Sequence, residues 1–219
     1  PWLSLVREGI CGASGLRGDG NRKENEMKNN SEIVYQLLNY ERNRELLDRV
    51  PHVSYLDLAI VFSWAEASGR RRKLITEEEM VQMEISLERM EQEATQNTPR
   101  ICPVYFHPLE EVIRMLGAQM NLDIPGEPPG LPMYLLSNVQ KFLGASAMIY
   151  PGMLQSIAEE WGDNFYILPS SIHECILVPE GAGCSGRLLE EMVAEVNQVQ
   201  VPEPEVLSYT VYYYDRRDD

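Results

Sequence analysis

The chain has 219 residues, 44% of them hydrophobic, and a formal net charge of −15 from 34 acidic and 19 basic side chains. That apolar content suffices for a packed core and excludes a wholly disordered chain. The charge disfavours wholesale binding to a nucleic-acid backbone, and no apolar run approaches the roughly 20 residues a membrane-spanning helix needs.

Residues 1–30 are rich in Gly, Asn, Arg and Glu and lack periodicity, as a disordered tail would. Met27 precedes the first structured pattern and is a candidate natural start. The opening stretch, interrupted by Arg7 and Glu8, does not read as an export signal. Residues 31–219 are expected to form a single α+β domain. Apolar positions Ile33, Val34, Leu37 and Leu38, with Ser31 as a cap, predict a first helix. A short helix is expected through Arg42 to Asp48, stopped by Pro51. LDLAIVFSW, Leu56 to Trp64, predicts a buried strand, and Ser68-Gly69 turns it into a hairpin with RRRKLIT.

Residues Thr76 to Thr98 read as helical. Thr76 and Ser86 each cap an acidic amphipathic run, Met80, Met83 and Met90 fill the core, and Pro99 ends the helix. RICPVYF is a short extended piece, and Pro108 suits the first turn of the helix LEEVIRMLGAQM. A Pro/Gly-rich loop is expected at 122–132. MYLLSN and GASAMIY predict two strands with a turn between them, and Pro151 and Gly162 bracket the helix GMLQSIAEEW. FYIL and HECILV predict a hairpin across a Pro-Ser-Ser turn. A Gly-rich loop at Glu180 to Gly186 leads to the helix RLLEEMVAEVNQV, and YTVYYYD predicts a final strand. The C-terminal half thus reads β-β-α-β-β-α-β: an α+β fold, with a largely antiparallel or mixed sheet and helices packed on one face.

Eight stretches stand in the order NYERNRELLDRVPH, LDLAIVF, NTPRICP, MYLLSN, GASAMIYPG, LPSSIHECILVP, EMVAEVN and EVLSYTVYYYD. Together they resemble a bacterial family numbered 5688 in the domain-of-unknown-function series, over about residues 33–215. The resemblance implies a bacterial intracellular protein, often from variable parts of genomes, with a longer N-terminal region that is missing or divergent here. It brings no activity, and so no catalytic residues.

The most reactive-looking cluster is PSSIHE. Ser170 and Ser171 offer hydroxyls, His173 a base and Glu174 an orienting carboxylate, which makes these four a candidate binding patch. Catalysis would need the base within hydrogen-bond reach of a nucleophile. Strand neighbours point to opposite faces, and no G-x-S-x-G elbow is present. The plainer reading is a hairpin turn whose exposed polar tip contacts a partner. No metal site and no cofactor are implied: the histidines are His52, His107 and His173, without ligand spacing. Cys11, Cys102, Cys175 and Cys184 form no C-x-x-C pair and read as free thiols in a reducing cytoplasm, with a Cys175–Cys184 bridge left open by spacing. Arg70 to Lys73 could hold an anion, although such charges also protect a strand edge. GAGCSG could meet an anion at a helix start, but it has no phosphate-loop lysine. The aromatic strand YTVYYYD packs on the core by default.

The readings that remain are three. One is a non-catalytic binding or interaction module with a protein partner. A second is a hydrolase or transferase using Ser171 and His173. The third is an accessory protein of mobile genetic elements.

Overall fold

A computed structural model describes residues 31–120 and 130–218. The expected tail at 1–30 and most of the expected loop at 122–132 lie outside the described residues. The described chain divides after Pro103 into two compact units.

The first unit is built on an antiparallel sheet. Strand β1 (Ser31–Asn39) pairs along its whole length with β3 (Leu58–Glu66), while β2 (His52–Tyr55) and β4 (Arg72–Leu74) share the other side of β3. The first segment is therefore a strand, not the expected helix. Ile33, Val34, Tyr35, Leu37 and Leu38 are all buried, so both faces of the segment are covered. A two-sided apolar run has no period that separates helix from strand, and β3 offers it a nine-residue partner. Before β2 the chain makes a 3-10 turn (Glu41–Asn43) and the one-turn helix α1 (Arg44–Leu47). The hairpin of β3 and β4 forms as its turn signal predicts.

Helix α2 (Glu77–Gln82) starts at Thr76 with a reciprocal capping box to Glu79. Helix α3 (Leu87–Ile101) starts at Ser86, whose hydroxyl accepts the Arg89 N–H. It runs past Pro99, which was expected to end it. Only the last turn follows the proline; Cys102 N–H still reaches Thr98 O at 2.8 Å, and Ile101 packs with Val34, Ala65 and Cys102.

Helix α3 also closes the open edge of β1. Asn97 Nδ2 donates to Ile33 O at 3.2 Å, and Thr98 Oγ1 accepts from Tyr35 N–H at 3.0 Å while donating to Ala94 O at 2.6 Å. Arg72 reaches Tyr35 O from β4. A Thr98→Ala variant strands the buried Tyr35 amide. It is expected to lose about 1–3 kcal/mol and to speed Tyr35 amide exchange, with both effects largely restored by Thr98→Ser.

The second unit holds a five-stranded antiparallel sheet in the order β5-β6-β8-β7-β9. These are β5 (Val104–Pro108), β6 (Tyr134–Asn138), β7 (Phe165–Ser171), β8 (Glu174–Pro179) and β9 (Tyr212–Tyr214). Pro108 closes β5 rather than opening the next helix. Helices α4 (Leu109–Met120) and α6 (Gly186–Val199) cover one face, where Val112, Ile113, Leu116, Leu189 and Val193 meet Leu135, Leu168, Ile176 and Val178. The other face is covered too, contrary to the one-sided arrangement expected. Helix α5 (Met153–Trp161) lays Trp161 against Tyr134 and Phe165, and Met148 reaches Cys175 at 3.7 Å.

Two expected elements change. GASAMIY is a 3-10 helix (Gly144–Ile149), not a strand. Its small residues, Gly144, Ala145, Ser146 and Ala147, are buried flat against the sheet, where a row of strand side chains would not fit. The hairpin turn after β7 is Ile172-His173, not Pro-Ser-Ser: Ser171 pairs with Glu174, and a bulge between Leu168 and Ser171 absorbs the proline. An α+β fold with antiparallel sheets stands, and the C-terminal half keeps the expected order apart from that 3-10 turn.

Candidate functional site

Of the residues singled out from sequence, Ser171 and His173 are buried and Glu174 is half-buried. Ser170 belongs to the bulged part of β7. Ser171 is 1% exposed, and its Oγ accepts the His173 backbone N–H at 3.0 Å. His173 is 6% exposed, so the expected exposed tip is interior. Glu174 opens β8, half-buried, with its neighbour Cys175 on the opposite face of the strand.

The His173 ring is engaged on both nitrogens. Nδ1 accepts the Leu143 N–H at 3.1 Å, and Nε2 lies 3.9 Å from the Glu205 carboxylate. A nitrogen that accepts an amide must carry the lone pair, so the proton sits on Nε2, toward Glu205. The Ser171 hydroxyl meets the His173 main chain rather than its ring. This is the local hydroxyl-to-backbone geometry of a turn, and not a nucleophile aligned on its base.

What the network holds is the loop Val139 to Leu143. Ser137 Oγ donates to His173 O at 2.8 Å. Asn138 brackets the loop: Oδ1 accepts Phe142 N–H at 3.3 Å, Nδ2 donates to Phe142 O at 2.9 Å, and its carbonyl accepts Lys141 N–H at 2.9 Å. Ala145 N–H bonds Ile172 O, and Ile172 N–H bonds Glu205 O, tying in the β7–β8 turn. Lys141 and Leu143 take positive φ of 51° and 52°. Side chains rarely accept that conformation, and it persists only where surroundings impose it. The strain presents Val139, 51% exposed, and Phe142, 36% exposed, to solvent. Lys141 places its ammonium 4.7 Å from the Tyr105 ring centroid, and partial burial holds its pKa below the usual lysine range.

Sequence reasoning placed only a turn at this loop and missed its anchors Asn138 and Glu205. The usable signal was Ser137-Asn138 followed six residues later by Gly144, which encloses a segment too short for a helix and too irregular for a strand.

The other candidates resolve locally. Arg71 pairs with Glu66 at 2.8 Å and Lys73 with Glu79 at 3.2 Å; Arg72 donates to Gly69 O and Cys102 Sγ. The basic run is thus largely committed to its own unit. Asp163 Oδ2 already accepts the Gly181 N–H at 2.8 Å in the Gly-rich connection. Among the described residues, no three His, Cys, Asp or Glu side chains gather as metal ligands, and no helix is long and apolar enough to cross a membrane.

Cys102, Cys175 and Cys184 are free thiols. Burial, and after it the Glu174 charge, pushes the Cys175 thiol far up; burial also raises Cys102, against the lowering effect of Arg72. Iodoacetamide on the native protein at mildly alkaline pH is therefore expected to modify Cys184 while leaving Cys102 and Cys175 intact by mass spectrometry. Comparable labelling of Cys175 would contradict this burial.

The sequence and this fold define an α+β protein of a recognisable family. The family model described as a family of unknown function, DUF5688, matches residues 20–216, so the chain belongs to that family. No curated protein and no solved structure matches it.

Proposed function

We propose that this chain is a non-catalytic, protein-binding module of the bacterial cytoplasm, and that the loop Val139 to Leu143 is part of its contact surface. One observation carries the reading. A buried polar network, centred on His173 with both ring nitrogens facing protein groups, is spent on holding a strained loop whose tip is apolar. A network used for turnover leaves its base a proton to take; a network used for recognition sets a shape in advance and lowers the entropy cost of binding. On this reading Ser171 and His173 act from inside, and their neighbours make the contact.

Proximity labelling in a native host tests it. A set of proteins should be labelled by the wild type, lost with the paired substitution Val139→Asp and Phe142→Asp, and kept with Leu188→Asp, an exposed apolar position on α6. Equal labelling by the loop variant would refute the reading. So would a fluorophosphonate adduct on Ser171 that His173→Ala abolishes.

A further inference from the structure

The loop adjoins a sheet edge, because Asn138 is the register partner of Val104 at the start of β5. The Leu109 N–H donates to Met133 O at 2.8 Å, and this sets the phase of the β5–β6 ladder. Tyr105 and His107 fall at its hydrogen-bonded positions, opposite Ser137 and Leu135. Val104, Phe106 and Pro108 fall at the alternate positions, with their main-chain groups directed away from β6. Pro108 suits its place, since no rung needs its missing N–H.

Among the described residues, nothing bonds the outward main chain of Val104 or Phe106. The contrast is β1, whose outward groups are met by Asn97, Thr98 and Arg72. Edge strands are ordinarily blunted by charge, proline or a bulge, or are covered; β5 has Pro108 at its end but leaves Val104 40% exposed. Where β5 ends, a pocket of about 200 Å³ opens, walled by Leu109, Ile113, Leu131, Met133 and Tyr134, with Glu110 on its lining. It has room for one large apolar side chain.

The geometry points to β5 as a docking strand for an extended basic peptide, which adds a sixth strand to the sheet and seats one apolar side chain in the Leu109–Tyr134 pocket. This rests on the reading of the chain as an interaction module and names the partner's chemistry. Main-chain bonds to Val104 and Phe106 supply affinity, and the pocket supplies selectivity. Charge chooses the occupant. Glu110 and Glu111 begin α4 directly after β5, although Arg114 shares Glu110 at 2.6 Å. A second copy of the chain would bring another charge of −15 to the same edge, whereas a lysine-rich strand is attracted.

The test uses the full chain and a fluorescein-labelled peptide of alternating valine and lysine with one central leucine, read by anisotropy. Val104→Pro deletes one outward N–H and no ladder rung. It is expected to weaken binding at least about tenfold with unchanged circular dichroism. Alternate N-methylation of the peptide, and exchange of its lysines for glutamate, should each do the same. Binding indifferent to Val104→Pro and to N-methylation would overturn the strand-pairing inference. A dimer in sedimentation that Val104→Pro dissolves would overturn the choice of occupant. If the loop variant loses host partners while Val104→Pro leaves peptide binding intact, the interaction reading stands and this inference fails. If peptide binding follows the edge but loop substitutions change no host partner, the loop reading fails and the edge survives.

Discussion

A Phe165→Ala variant is expected to lose about 3–5 kcal/mol of stability. Phe165 is fully buried at the start of β7, between β8 and β9. Its ring stacks on Tyr214 at 5.0 Å and meets Trp161 edge-on at 5.4 Å. Trp161 in turn lies 4.6 Å from Tyr134, so Phe165 and Trp161 together link α5, β6, β7 and β9. Hydrogen-bonded strands on both sides cannot close the vacated space, which leaves a cavity as well as the lost transfer energy. Urea denaturation followed by tryptophan fluorescence measures the loss, and Trp161 reports the site itself. A loss below about 1.5 kcal/mol would mean that the sheet relaxes around the gap.

Gly144→Ala is expected to be nearly as damaging, at about 3 kcal/mol, or a fall in melting temperature of roughly 10 °C. The added methyl carbon would lie 2.2 Å from Ser137 Oγ and 2.7 Å from both Asn138 N and His173 O. Two of these atoms are backbone and cannot rotate aside, so Ser137→Ala should not rescue the variant. The requirement for glycine here is space and not conformation. The same contact lies under the Val139–Leu143 loop, so partner labelling is expected to fall along with stability. Differential scanning calorimetry of the single and double variants checks the claim, and recovery in the double variant would sink it.

Much of this protein was legible because its signals are local. Thr76 and Ser86 cap helices through hydroxyls that reach amides three residues on. Gly162 ends α5 in the left-handed conformation, and the apolar run at Leu58 to Glu66 is a central strand. The stretch Phe165 to Pro179 forms a hairpin. None of these depends on a distant partner, so residue type and spacing sufficed to place them.

Other features were set by contacts remote in the chain. Ser31 to Asn39 shows helical spacing, yet β3 makes it a strand, because an apolar run buried on both sides takes the form its partner requires. Gly144 to Ile149 reads as a strand, yet it tightens into a 3-10 helix where small residues meet the sheet. His173 was expected beside the exposed polar tip of a hairpin. It is interior, and Leu143 and Glu205, each some 30 residues away, decide its proton. Which main-chain groups of β5 face away from β6 follows from the register of the two strands, which no single-strand pattern encodes. Sequence by itself thus determined the caps at Thr76 and Ser86, the helix end at Gly162, the central strands and the family. Tertiary structure alone decided which polar groups are buried together and which strand edge has no partner among the described residues, because burial and pairing belong to two segments at once.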